Sequence, residues 1–315
     1  MQVSLSVCSL RNMELGIGIN MKVVYGHTDS IYVQIDSVEA AQKAIKVIED
    51  EVKKSFPNVL GLEQHPVSLE FEKYFSALGV GTVKNRNAGM IVWEDGQYLD
   101  EPKFTMTGFT AKRVSETKLA KWFQTELLKM WANQCSFEEI NKFLRDTYAS
   151  VINGEFPNDY LAKRSRLKEE RFKLMCPACR SKYNMRNILN IHNCERCGTS
   201  TKNFLTEQRK RPSIGSGIAG VLYAWEKQNT SFDDSYIFLK VLGVNDKYTN
   251  PLTKEKRDVE YIAGTILSDF YSYEPDYHHY AEQLIKKAKP IYEAMGWQME
   301  NIRTIKGQRT LEEWF

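Results

Sequence analysis

Four of the six cysteines fall in two pairs, Cys176-Pro-Ala-Cys179 and Cys194-Glu-Arg-Cys197, while Cys8 and Cys135 stand alone. Each C-x-x-C turn presents two sulfurs to one point. Two such turns joined by a short arm can close a tetrahedron of thiolates around zinc. With four protein ligands no position is left for substrate or water, so the expected site is structural. Metal binding would then supply folding energy to a ribbon with little core of its own. A four-thiolate iron–sulfur cluster is the alternative occupant. Gly198 suits the turn after the second pair, and His192 is expected at the surface and not as a ligand. The spacing is that of a metal site and not of a secreted disulfide framework.

A second candidate centre lies in 22-KVVYGHTDSIYVQID-36, where apolar runs flank the polar knot Gly26-His27-Thr28-Asp29-Ser30. This pattern predicts a β-hairpin with a functional tip. Asp29 is well placed there to hold a metal, but metal-assisted phosphate chemistry usually wants at least two carboxylates and the knot has one. A third signal is the end of the chain, 308-QRTLEEWF-315. On one helical turn Leu311, Trp314 and Phe315 share a side, an apolar plug at a chain end that calls for a binding partner.

The composition, 42% hydrophobic and 26% charged over 315 residues, is that of a globular chain long enough for one large domain or a few small ones. No apolar run reaches the length of a membrane span, so no membrane partner is expected. The start, MQVSLSVCSLRNMELG, lacks the basic and apolar regions of a signal peptide, and Val7 replaces the small residue a lipoprotein site needs. An intracellular protein is expected. The net charge of +3 conceals a block from Lys163 to Arg211 with 14 Lys/Arg and 4 Asp/Glu, a local balance of +10. Such a block favours a polyanionic partner.

The elements that must carry these residues follow from periodicity. After the hairpin, Val38, Ala41, Ile45, Ile48 and Val52 mark one face of a helix closed by Pro57 and Gly61. Residues 66–93 read as successive strands turning at Asn85-Arg86-Asn87, and 95–109 as a further hairpin followed by a strand. Helices are expected from Ser115 with a capping role for that serine, then over 136–155, 213–228 and 276–296, with a short strand pair over 232–251. The fold class is α+β: an antiparallel sheet with a helix, then a mainly helical part into which the cysteine ribbon is inserted.

The knot Tyr25-Gly26-His27-Thr28-Asp29-Ser30 resembles motif C of family B DNA polymerases, whose usual form is Tyr-Gly-Asp-Thr-Asp-Ser. Further segments follow in the family's order. The stretch 69-LEFEKYF-75 resembles a palm strand, and 83-VKNRNAG-89 resembles the motif that tracks the primer–template minor groove. Next, 107-TGFTAKR-113 resembles the passage from palm to thumb. Lastly, 157-PNDYLAKRSRLK-168 and 276-DYHHYAEQLIKKAKPIYEAMGW-297 resemble thumb segments. The tail resembles the peptide by which replication proteins dock on the ring-shaped sliding clamp, through Gln308, Leu311, Trp314 and Phe315.

The resemblance implies the C-terminal part, or small subunit, of a split archaeal-type family B polymerase. Residues 1–113 would be the second half of the palm, 114–173 and 204–300 the thumb, 174–203 the zinc ribbon and 301–315 the clamp-binding tail. Asp29 would be the catalytic metal ligand, bridging two Mg²⁺ ions, with Glu72 (or Glu70) near them. Lys84, Arg86, Lys112, Arg113, Lys163, Arg164 and Arg166 would contact primer–template DNA. His27 departs from the first Asp of motif C, and Asn85 and Asn87 depart from the minor-groove motif. Nothing resembles motif A, motif B or the exonuclease carboxylates, so a large subunit is expected to supply them. Met1 followed by a plausible helix (Val3, Leu5, Val7, Leu10) suggests a separate gene product. The expected setting is the cytoplasm, at the nucleoid, with a PCNA-type clamp and dNTPs as further partners. A catalytically inactive DNA- and clamp-binding module is the alternative.

Overall fold

The computed structural model describes residues 21–27, 30–56, 58–80, 86–109, 111, 115–166, 174–184, 187–188, 190–206, 219–224, 235–242, 244, 246–250, 252–266, 272–299 and 302–303. They form two compact units: 1–109 with 128–135, and 110–127 with 136–315.

In the first unit, β1 (Lys22–His27) and β2 (Ser30–Gln34) pair antiparallel, with Gly26 opposite Ile31 and His27 opposite Ser30. Helix α1 (Val38–Ser55) begins at Ser37, whose hydroxyl accepts the Ala40 N–H at 3.1 Å. It buries Val38, Ala44, Ile48 and Val52, with Val67 beside them and Ile31, Ile35 and Leu69 packed against the cluster. The expected face was turned too far: Ala41 and Ile45 are only half-buried, because Ala44, Ile48 and Val52 form the i, i+4, i+8 row that meets the core. The hairpin is thus seated on α1 by the inner face of β2.

Strands β3 (Lys73–Val80), β4 (Asn87–Glu94) and β5 (Gln97–Thr107) make a three-stranded antiparallel meander. Asn87 opens β4 opposite Val80 and is not a turn residue. The second hairpin turns at Asp95-Gly96, with φ of 50° and 91°, the left-handed pair that a two-residue turn demands and Asp-Gly favours. β5 then continues as one strand. Its pairing slips opposite Ile91 and Trp93, and Pro102, unable to donate to a ladder, lies in the slipped stretch. Tyr32 ties the hairpin to this sheet, 6.2 Å from the Phe75 ring and accepting from Asn87 Nδ2 at 3.4 Å.

Helix α2 (Lys118–Ala132) is capped by Thr117, whose Oγ1 accepts the Ala120 N–H at 3.0 Å, and not by Ser115. Its end, in the first unit, lays Trp131 on Gly79: a Cβ there would lie 2.2 Å from the indole. In the second unit α3 (Phe137–Ile152) carries a complete capping box between Ser136 and Glu139. It packs on α5 (Tyr277–Met295), where Tyr148 donates to Glu282 at 3.3 Å and Tyr292 to Asn141 at 3.1 Å. The short α4 (Asn158–Leu161) leads into β6 (Lys163–Arg166).

The strand pair expected over 232–251 does not form. β10 (Ser235–Lys240) lies between β6 and β13 (Tyr261–Gly264), while β11 (Lys247–Thr249) pairs with β12 (Lys256–Asp258). Both strands exist, but the buried run Tyr236–Leu239 is satisfied by distant partners on both edges. The ribbon strands β7 (Leu174–Met175), β8 (Lys182–Tyr183) and β9 (Leu205–Thr206) form a sheet in the order β8-β7-β9. The helix expected over 213–228 is described only at 219–224, and the tail 308–315 and residues 1–20 lie outside the described residues. No described helix is long and apolar enough to cross a membrane.

Candidate metal centre and hairpin tip

The two cysteine pairs fold as near-identical knuckles. In the first, Arg180 N–H donates to Cys176 O at 2.9 Å and Cys176 N–H to Ser181 O at 3.0 Å. In the second, Gly198 N–H donates to Cys194 O at 2.8 Å and Cys194 N–H to Thr199 O at 2.7 Å. Both turns end in a left-handed residue, Arg180 at φ 58° and Gly198 at φ 74°. The repeat continues two residues past each second cysteine, where the Cys179 sulfur meets Ser181 Oγ and the Cys197 sulfur meets Thr199 Oγ1, each at 3.2 Å. The motif is therefore C-x-x-C-x-S/T twice, a regularity legible in the sequence that the spacing argument missed.

All four sulfurs lie within 4.8 Å of one another, with Cys176–Cys197 and Cys179–Cys194 at 3.5 Å. Sulfurs gathered so closely, with no bond joining them, fit a four-thiolate metal set. Cys176 and Cys194 are buried, whereas Cys197 is exposed. A hydrogen bond from Tyr183 OH at 3.3 Å brings the Cys194 thiol down to about 6, against the opposing effect of burial. Tyr183 OH also accepts the Glu195 N–H at 3.0 Å, which fixes its position. Burial opposes ionisation of Cys176, but the N–H groups of Cys179 and Ala178 together with hydrogen bonds to the Cys197 and Cys179 sulfurs outweigh it and lower its pKa. Both buried sulfurs are thus disposed to be thiolates, the form that binds metal.

This centre is not a free-standing module. Leu174, Cys176, Tyr183, Ile188, Cys194 and Phe204 belong to one hydrophobic cluster with Val221, Leu222, Tyr236 and Phe238. The Lys254 ammonium, at a left-handed backbone position, donates to the Ile188 carbonyl and ties the β11–β12 hairpin to the ribbon. His192 is exposed, as expected, and its carbonyl accepts the Thr201 N–H at 2.9 Å.

The hairpin tip is simpler. Pairing of His27 with Ser30 leaves Thr28 and Asp29 as the connection, and these two residues lie outside the described set. Among the described residues β1 and β2 pair only with each other. Glu70 and Glu72 precede β3 instead of lying within a strand, both exposed, with the Glu72 carbonyl accepting the Asp95 N–H at 3.2 Å. Arg86 is half-buried, while Lys84, Lys112 and Arg113 lie outside the described residues. Lys163, Arg164 and Arg166 share β6, an edge strand; Lys163 Nζ is 3.9 Å from Glu116 and Arg164 3.5 Å from Asp159. Clamp residues Gln308, Leu311, Trp314 and Phe315 are outside the described set.

These features define a mixed α and β chain of antiparallel sheets and helices with one clustered cysteine centre. The sequence profile of DNA polymerase family B matches residues 5–293, so the chain belongs to that family. Among solved structures it is similar to the family B DNA polymerase of the hyperthermophilic archaeon Pyrobaculum calidifontis, with a TM-score of 0.53 and 17% identity. At that identity the likeness is one of fold. It covers 90% of this chain and 28% of that polymerase, so the chain spans little more than a quarter of its relative's length. No curated protein matches the chain.

Proposed function

We propose that the chain supplies the motif C half of a DNA polymerase active site and takes part in nucleotidyl transfer only with a polypeptide carrying motifs A and B. The observation that carries this reading is the family match over 5–293 combined with a hairpin whose paired strands leave Thr28-Asp29 as a two-residue connection. One carboxylate does not make a two-ion site, so the second must come from elsewhere. When bound, Mg²⁺ would activate the primer 3′-hydroxyl and neutralise triphosphate charge. Asp29 would bind it, with Glu72 or Glu70 a subsidiary carboxylate. Residues 1–113 serve as palm, 114–173 and 204–300 as thumb, 174–203 as an inserted ribbon and 301–315 as the clamp tether.

Zinc is the occupant that Cys176, Cys179, Cys194 and Cys197 fit, and its role is to hold the ribbon. Lys84, Arg86, Lys112, Arg113 and the β6 cations Lys163, Arg164 and Arg166 contact primer–template DNA, chiefly at phosphates. The tail raises processivity by holding the assembly near a PCNA-type clamp. Changing Leu311, Trp314 and Phe315 together to Ala should abolish clamp binding while leaving DNA affinity intact; a collapse of DNA affinity would place the tail in the thumb. The cytoplasm, at the nucleoid, is the setting this role requires. The second reading, an inactive module bridging DNA and clamp, is favoured by His27, Asn85 and Asn87. Magnesium-dependent primer extension by the chain mixed with a motif A/B polypeptide separates the two, since the inactive module would add nothing to the extension rate.

A further inference from the structure

Cations on much of the described surface are matched by carboxylates: Lys53 by Glu49, Lys103 by Glu94, Lys142 by Asp146 and Arg303 by Glu282. The ribbon is different. Residues 174–206 contain five Lys/Arg and a single acid, Glu195. Arg180, Arg196 and Lys202 are exposed, and among the described residues none has an ion-pair partner. Arg180 and Arg196 sit on the two knuckles, whose turns are fixed by the backbone bonds around Cys176 and Cys194. Their backbones are therefore held in place before any ligand arrives.

Arg180 carries a second, independent sign. It occupies the left-handed position, φ 58°, that the matching knuckle fills with Gly198 at φ 74°. Glycine is the residue that conformation favours, and a side chain there is disfavoured. The first knuckle thus carries a guanidinium where the second carries no side chain, and it leaves the turn from a fixed backbone point. The ribbon's described aromatics, Tyr183 and Phe204, are both buried, so its surface offers no platform for stacking unpaired bases. What remains is unpaired positive charge on a rigid support, the chemistry that recognises a sugar–phosphate backbone and not base edges.

We infer that the ribbon is a second DNA anchor, in which Arg180, Arg196 and Lys202 bind the phosphodiester backbone of duplex DNA without reading sequence. This rests on the reading that the chain works on primer–template DNA and adds a contact surface outside the residues assigned to that task. The test is fluorescence anisotropy of the full-length, zinc-loaded chain with a random-sequence duplex and with a single strand of equal length, across a salt series. In the triple variant R180G/R196Q/K202Q the slope of log K against log salt should shrink by about 2–3 and duplex affinity should fall at least about tenfold, with a smaller change in slope and affinity for the single strand. A control variant, K53Q/K54Q/K142Q, should match wild type. R180G alone should bind duplex more weakly yet melt no lower than wild type, which separates lost contact from lost fold. Wild-type duplex affinity and slope in the triple variant, or a loss confined to single strands, would overturn the inference alone. A wild-type chain that binds neither DNA would overturn it together with the polymerase reading.

Discussion

The cysteine centre, gathered by the structure, and the β1–β2 hairpin, proposed as a metal site from its sequence, are built in opposite ways. The centre gathers four ligands from one short segment, buries two of them in a shared core and fixes each knuckle with backbone hydrogen bonds. The hairpin supplies only the proposed ligand Asp29, which lies outside the described residues, and its strands pair only with each other among the described residues. A site complete in itself is a folding element. A site with one ligand is held by its surroundings and depends on groups brought to it.

The contrast is broken most sharply at the buried cysteines. Cys194→Ser should abolish stoichiometric zinc, about one per chain in wild type, and destabilise the second unit by several kcal/mol, because metal binding there is folding energy. Hydrogen exchange should then show lost protection around Tyr236 and Phe238, which share the cluster with Cys176 and Cys194, while the β3–β4–β5 meander stays protected. Equal loss in both units would mean that the centre is not a local folding element. Iron with visible absorbance in place of zinc would change the occupant.

A smaller effect is expected at Glu116, which anchors the second unit without any metal. Burial raises its carboxyl pKa, but the hydrogen bond from Lys287 at 2.6 Å and the charges of Lys287 and Lys163 outweigh it, so the net shift is downward. Both side chains are largely buried, 14% and 16% exposed. Glu116→Gln should cost about 3 kcal/mol at neutral pH, the low end for breaking a buried pair. Because the folded carboxyl is the more acidic, its contribution is present above the ordinary carboxylate pKa and fades as pH falls through the depressed folded value. Denaturation curves of wild type and variant should therefore converge in acid; a gap constant with pH would contradict the pair's role.

The smallest effect sharpens the comparison within the centre. Tyr183→Phe removes the hydrogen bond to the Cys194 sulfur and the acceptor of the Glu195 N–H. Zinc affinity, measured by competition with a chelator, should fall about 10- to 100-fold with the fold retained. No change would show that the tyrosine only fills space.

How much of this could be read in the sequence followed the range of the interactions. The cysteine quartet, the hairpin and α3 are written in residues a few positions apart, and the structure brings together the residues expected. Strand partnership was not legible: Ser235 of β10 pairs with Arg166, far behind it in the chain, and Ile237 with Gly264 ahead, and local alternation says nothing of which edge a strand will find. The cap of α2 fell to Thr117 instead of Ser115 because the cap hydroxyl must stand three residues before the N–H it accepts, and for Ala120 that residue is Thr117. The face of α1 was misjudged because Ala41 and Ile45 are apolar yet lie beside, not within, the row that meets Val67. The tie from Tyr183 to Cys194 spans 11 residues between types with many uses, so no spacing rule could find it.

The proposed role of Asp29, half of a two-chain catalytic site, can be tested directly. Primer extension in Mg²⁺ should be measured for the chain, for a motif A/B polypeptide and for their mixture, with wild type and with Asp29→Ala. Extension is expected only in the wild-type mixture, reduced at least about 10³-fold by the substitution, an effect of about 4 kcal/mol on the barrier, while melting temperature and zinc content stay unchanged. Equal extension by the Asp29→Ala mixture would contradict the proposed role.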